Sequence, residues 1–216
     1  KFQRKGFVTI DTNLITTRQA NDRLSSLLQS KTSQESHIRS DTVSFINRSD
    51  AVDCGIDVQY DFLMGIASFL NDHLDWDANL SRSKVDKDDE DELENILACG
   101  SYEPIHPATR DKPLTNPGSI QVAEYGVGEF YVAHSDNLIL AKNKSRARSN
   151  FRLYTCILYC NDDWDIEQDG GALRIYPKSI HLTDPSDVIK MNMEYEDVNP
   201  TNGKLLIFDS RLVHSV

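Results

Sequence analysis

No run of apolar residues in this chain approaches the roughly 20 that cross a bilayer, and Lys1 is not followed by the apolar segment of a secretory signal. Neither a membrane partner nor export is therefore expected. Cysteine is sparse, and Cys54, Cys99, Cys156 and Cys160 show none of the paired short spacings that zinc sites use. Cys156 and Cys160 lie at an even offset in an apolar run, so on a strand they share a face as reduced core residues, which favours a reducing compartment. The expected location is cytoplasmic, with the nucleus as the alternative. Because the chain does not begin with Met it reads as a trimmed piece, which leaves a removed targeting segment open. A long basic stripe is also lacking, and with a net charge of -11 nucleic acid is not an expected partner.

The acidity is local. Asp86 to Glu94 holds seven acids, near Lys84 and Lys87, and reads as a solvated loop or helix start, with an acidic docking site as the alternative. The one basic cluster, Lys142, Lys144, Arg146 and Arg148, sits among Asn and Ser and reads as a mobile loop or a substrate-binding arm. At 216 residues and 39% hydrophobic content the chain suits a single domain spanning residues 1–216.

Hydrophobic periodicity divides this domain into a helical support, about 1–118, and a β core, about 119–216. Gly6 to Asp11 reads as a strand. Thr16 to Gln29 places Ala20, Leu24, Leu27 and Leu28 at helical spacing, and Asp57 to Leu74 does the same with Phe62, Ile66, Phe69 and Leu70. From Ser119 onward come short β-branched and aromatic runs with Gly, Asn, Asp and Pro between them. The candidate strands are Ile120 to Tyr125, Phe130 to His134, Tyr154 to Cys160, Ala172 to Tyr176 and Lys204 to Phe208. Short strands without intervening helices predict an antiparallel barrel or double-sheet jelly roll, hence an α+β fold with packed N-terminal helices.

His134-Ser135-Asp136 follows one predicted strand, and His214 follows another far downstream. Residues at i and i+2 of an extended backbone point the same way, so His134 and Asp136 can share an ion, with His214 as the third ligand. Two imidazoles and a carboxylate on one face of an octahedron leave three positions open, as in non-haem Fe(II) oxygenases. A His-x-Asp pair alone is weak evidence, and Asp136 before Asn137 could instead form an Asx turn.

The surrounding residues resemble a known family. Phe151-Arg152-Leu153-Tyr154-Thr155-Cys156-Ile157-Leu158-Tyr159-Cys160-Asn161-Asp162-Asp163-Trp164, followed by Gly170-Gly171-Ala172-Leu173-Arg174-Ile175-Tyr176-Pro177, resembles the core of the prolyl 4-hydroxylases. The likeness is greatest to the intracellular branch with the hypoxia-inducible-factor and Skp1 prolyl hydroxylases. Gln121 to Tyr125, Leu205 to Arg211, and Ile38-Arg39-Ser40-Asp41 with Phe45 extend it over most of the chain.

The resemblance implies a double-stranded β-helix with His134, Asp136 and His214 on Fe(II). It puts Tyr159 on the distal carboxylate of 2-oxoglutarate, with Tyr125 and Ile157 also in the cosubstrate site. Arg39, Asp41, Arg152 and Arg211 fall on the substrate side. Each has a structural alternative: a Tyr in a β core buries its ring and satisfies its hydroxyl locally, and a surface Arg-Asp pair is commonly a solvated ion pair. Gly170-Gly171 serves a turn. The implied cofactors are Fe(II), 2-oxoglutarate and dioxygen, with ascorbate as a further candidate. The implied reaction converts 2-oxoglutarate to succinate and carbon dioxide while proline in a protein or peptide substrate becomes 4-hydroxyproline.

The family also places an Arg or Lys on the strand after the distal histidine to clamp the 2-oxoglutarate carboxylate. This sequence ends at Val216, so that anchor is expected beyond it in a longer protein. The stretches Leu138 to Asn150 and Lys178 to Asn199 are longer than the family's shortest connections. Rival readings are a related dioxygenase acting on another side chain or a small molecule, a jelly-roll binding module without turnover, and a scaffold docking through the acidic run.

Overall fold

The computed structural model describes residues 6–30, 37–73, 114–137, 139–142, 145–148, 152–180 and 182–216; the acidic run 86–94 and Cys99 lie outside these. The chain divides into two compact units, Lys1–Leu63 with Ser119–Val216, and Met64–Gly118. Its elements in order are β1 (Phe7–Asp11), α1 (Arg18–Gln29), β2 (Thr42–Ile46), α2 (Arg48–Cys54), α3 (Asp57–Met64), α4 (Ile66–His73) and β3 (Ile120–Glu124). There follow β4 (Ile139–Lys142), β5 (Ser145–Arg148), β6 (Tyr154–Leu158), α5 (Ile166–Asp169), β7 (Leu173–Tyr176), α6 (Asp187–Lys190), β8 (Glu196–Val198), β9 (Lys204–Asp209) and β10 (Val213–Ser215). Helices and antiparallel sheets are thus mixed. No described helix is long and apolar enough to cross a membrane.

Helix α1 starts where the Thr17 side chain accepts from the Ala20 amide, satisfying one of the first turn's orphan donors. Its apolar spacing buries Ala20, Leu24 and Leu28 on one face. Helix α2 opens with a reciprocal capping box between Asn47 and Asp50. Ala20 and Leu24 join Ile46, Ala51, Cys54 and Ile56 in one apolar cluster, with Ile120 and Val122 of β3 packed against it. In the second unit, the Asn71 side chain accepts from the Leu114 amide and donates to its carbonyl.

Two three-stranded antiparallel sheets carry the rest of the first unit, in the orders β1-β9-β6 and β10-β7-β8. Strand β9 is central in one, with Phe208 opposite both Phe7 and Thr155. Strand β7 is central in the other, with Ile175 opposite His214 and Glu196. Both sheets contribute to one cluster of Phe7, Leu173, Ile175, Val198, Leu206, Phe208 and Leu212, with Ile157, Tyr159 and Val216 packed against it. Phe208 is fully buried, a contribution of about 1.5–3 kcal/mol from its side chain alone.

Several elements depart from the sequence expectations. The single helix expected over Asp57 to Leu74 is cut at Gly65, the weakest helix former in the run after proline is excluded. Phe130 to His134 is not a regular strand. It makes single bridges, Tyr131 with Arg39 and His134 with His214. The basic cluster expected in a mobile loop falls largely on a hairpin, where Ile139 pairs with Arg148 and Lys142 with Ser145. Ladder hydrogen bonds come from main-chain groups that every residue but proline carries, so side-chain composition concealed them. Gly170 and Gly171, read as a turn, both take positive φ immediately before β7.

Gly203 positions the end of β6 against β9. Its amide donates to the Tyr159 carbonyl, and its own carbonyl accepts from the Thr12 amide and hydroxyl. Its φ is +76°, and a Cβ there would lie 2.7 Å from Ile15 Cδ1 and 3.1 Å from the Thr12 carbonyl oxygen. Gly203→Ala is expected to lower unfolding free energy by about 1–3 kcal/mol, read from the urea midpoint at unchanged slope.

Candidate metal centre

His134 and His214 face each other in an antiparallel bridge, each amide donating to the other's carbonyl at 3.0 and 2.9 Å. Directly opposed residues of such a pair project to the same side, and here the imidazole centroids are 4.2 Å apart. Asp136 comes from the turn two residues beyond His134. Its Oδ1 lies 3.9 Å from His134 Nε2 and its Oδ2 4.0 Å from His214 Nε2. One donor atom from each of the three lies within 4.8 Å of the others, a spacing one ion can close.

The imidazoles are prepared as ligands. His134 Nδ1 lies 2.8 Å from the Val132 carbonyl and His214 Nδ1 3.1 Å from that of Leu212. A carbonyl only accepts, so each Nδ1 carries the hydrogen and each Nε2 lone pair is left for a metal. Burial, reinforced by His214, pushes His134 down to about 4. Burial pushes His214 down as well. Both rings are neutral near pH 7, the form that binds metal.

The carboxylate is oriented by Thr155, which the sequence-based site lacked, and by Arg152, which that site placed on the substrate side. The Thr155 hydroxyl donates to Asp136 Oδ2 at 2.5 Å, and Arg152 Nη1 stands 3.2 Å from Oδ1. Asn137, fully buried, donates from its amide to the Ser210 carbonyl and from its side chain to that of Arg152. These bonds tie the turn carrying Asp136 to the start of β6 and to the β9-β10 turn. The carboxylate is thus held from neighbouring elements. Thr155 could have been found from Tyr159, since Thr155, Ile157 and Tyr159 alternate along one strand face.

Tyr159 and Ile157 pack against the inner apolar cluster. The Tyr159 hydroxyl is buried with no hydrogen-bond partner, and burial raises its pKa. An unpaired buried hydroxyl costs about 1–3 kcal/mol, so this is a group built to meet a polar ligand. Tyr125, half-buried, instead lies near Asp41; burial first and then the Asp41 charge raise its pKa. Asp41 is buried and takes two bonds from Arg39. Arg39 lies over the Tyr131 ring, which stacks on His134. Arg152 thus reaches the triad directly, Arg39 and Asp41 approach it through Tyr131, and Arg211 is held in the β9-β10 turn by Asp209. Cys156 and Cys160 are free thiols, and burial pushes the Cys156 thiol up to about 12.

The donors fit a divalent iron: two neutral imidazoles and one carboxylate are the facial set that leaves room for a bidentate cosubstrate. The unpaired Tyr159 hydroxyl fits a carboxylate-bearing one. Residues 120–216 match the model of the 2OG-Fe(II) oxygenase superfamily. Fe(II), 2-oxoglutarate and dioxygen are the cofactor and cosubstrates of that class.

Within the class, the chain is similar to prolyl hydroxylases. Over 93 residues, 42% of this chain, it is 33% identical to the hypoxia-inducible factor prolyl hydroxylase of Caenorhabditis elegans and to human Egl nine homolog 1. The aligned part spans 10% and 17% of those relatives' own lengths. A Pseudomonas putida prolyl-4-hydroxylase shares the fold, with a TM-score of 0.53 at 18% identity, covering 100% of this chain and 86% of that one.

Thr155→Val keeps the side-chain shape but removes the donor to Asp136. It is expected to weaken Fe(II) binding about 10- to 100-fold while Thr155→Ser retains it, measured by anaerobic titration of the apoprotein.

Proposed function

We propose that the chain is the catalytic region of a prolyl 4-hydroxylase acting on a protein substrate, built on a double-stranded β-helix. The observation that carries this reading is the convergence of His134, Asp136 and His214, with their Nε2 and carboxylate donors turned toward one point. The likeness to prolyl hydroxylases supports a prolyl substrate.

In this reading His134, Asp136 and His214 hold Fe(II) and leave half its coordination sphere for 2-oxoglutarate and dioxygen. When bound, iron and 2-oxoglutarate would supply the oxidising power, with 2-oxoglutarate and dioxygen consumed and succinate, carbon dioxide and the hydroxylated product formed. The protein provides geometry. Tyr159 donates its hydroxyl to the distal carboxylate of the cosubstrate, and Ile157 beside it keeps that wall apolar and dry. Tyr125, near Asp41, stands at the cosubstrate side. The substrate approaches past Arg39, Asp41, Arg152 and Arg211, with Arg152, about half exposed, nearest the metal-binding carboxylate. No side chain is needed as a strong base, because the target carbon would be activated by oxidation and not by removal of a proton.

The test is incubation of the protein with Fe(II), 2-oxoglutarate and a panel of proline-containing peptides. Succinate and a peptide gain of one oxygen mass on proline are expected, both lost in His214→Ala. Succinate with the oxygen on a different residue would exclude the prolyl substrate, and no succinate from any peptide would exclude the dioxygenase reading. Tyr159→Phe is expected to raise the KM for 2-oxoglutarate roughly 10- to 100-fold, the loss of a hydrogen bond to a charged group, with kcat changed less.

A further inference from the structure

Tyr131 contributes no donor to the triad, yet its ring lies 3.5 Å from that of His134 with only 16° between the planes. The ring torsion of histidine has a broad, roughly two-fold energy profile, so it is not locked by its own rotamer. The bond from Nδ1 to the Val132 carbonyl decides which nitrogen faces the metal. A single hydrogen bond still permits the ring to tilt about the donor-acceptor line. A flat partner in stacking contact removes that freedom.

Tyr131 is itself held. Its backbone exchanges hydrogen bonds with Val216 on one side, at 3.0 and 3.1 Å, and bridges to Arg39 on the other. The Arg39 guanidinium carbon stands 4.4 Å from the Tyr131 ring centroid, within cation-π range. Arg39 in turn grips Asp41 through Nε and Nη2, and the Asp41 side chain is 0% exposed. Separating a buried carboxylate from its guanidinium partner is strongly unfavourable, so Arg39 is not free to swing away.

We infer that Tyr131 is a positioning residue for the metal ligand His134, and that the Arg39-Asp41 pair holds Tyr131 in that role. The inference rests on the metal-centre reading above and extends it to residues that bind no metal. Its consequence is a mechanical link between the segment 38–41 and the ligand field. A shift of that segment changes the contact on Tyr131 and with it the plane of the His134 ring. Arg39 and Asp41 then act on the metal as well as on the substrate side.

Co(II) is a suitable probe, because its visible ligand-field bands report donor geometry without turnover. Apoprotein titrated anaerobically with Co(II) is compared for wild type, Tyr131→Phe, Tyr131→Leu and Arg39→Gln, with the melting temperature of each apoprotein measured alongside. Tyr131→Phe keeps the stack and is expected to leave affinity and bands unchanged. Tyr131→Leu is expected to weaken Co(II) binding about tenfold and to shift the bands, the size of effect that residues supporting metal ligands typically have. Arg39→Gln is expected to give a band shift in the same direction with a smaller loss. Wild-type affinity and bands in Tyr131→Leu would overturn the inference. If Tyr131→Leu does not fold, Arg39→Gln decides alone, and wild-type bands there overturn it. A wild-type protein that takes up no Co(II) overturns the metal-centre reading and this inference with it.

Discussion

The reciprocal pair of backbone hydrogen bonds between His134 and His214 is the constraint on which the centre depends. It joins residues 80 positions apart and sets two imidazoles side by side before any metal is considered. Asp136 follows at the distance a turn dictates. Most other bonds around the site serve this register. Val216 and Tyr131 continue it beyond His214, and β7 secures the other edge of β10.

The β9-β10 turn carries the chain from one three-stranded sheet to the other, and so delivers His214. It is secured by buried polar groups that are nearly all satisfied. Arg211 and Asp209 pair through two side-chain bonds, and the Ser210 carbonyl and amide meet Asn137 and Leu153. Ser179, fully buried, accepts from the Val213 amide and donates to the Tyr176 carbonyl, one residue before the ligand. Such networks specify one geometry because each partner's loss leaves another group unpaired in the interior.

What the sequence disclosed and what it hid follow from the range of the interactions involved. His134 and Asp136 are two residues apart, and β9 before His214 is a continuous buried run, so strand alternation made one shared ion possible and the family resemblance singled out all three. Tyr159 was accessible through the family resemblance and Thr155 through alternation from it. Tyr131 was not, since an offset of three puts two residues on opposite faces of a regular strand. The contact exists because residues 130–134 form isolated bridges in place of a ladder. The grouping of Tyr125 with Arg39 and Asp41 depends on the pairing of β2 with β3, and β2 buries one residue of five, too weak a pattern to announce a strand. The break at Gly65 shows the converse: helical spacing persists across a residue at which the helix itself stops.

His214 is nearly inaccessible, and its ring meets the edge of Phe208, the largest fully buried side chain. The metal site is therefore continuous with the hydrophobic interior, and occupancy and folding are thermodynamically coupled. An ion that binds only the folded chain adds about 4 kcal/mol of stability when its free concentration is a thousand times Kd. Loss of the ion would then lower the stability of the folded chain as well as empty the site.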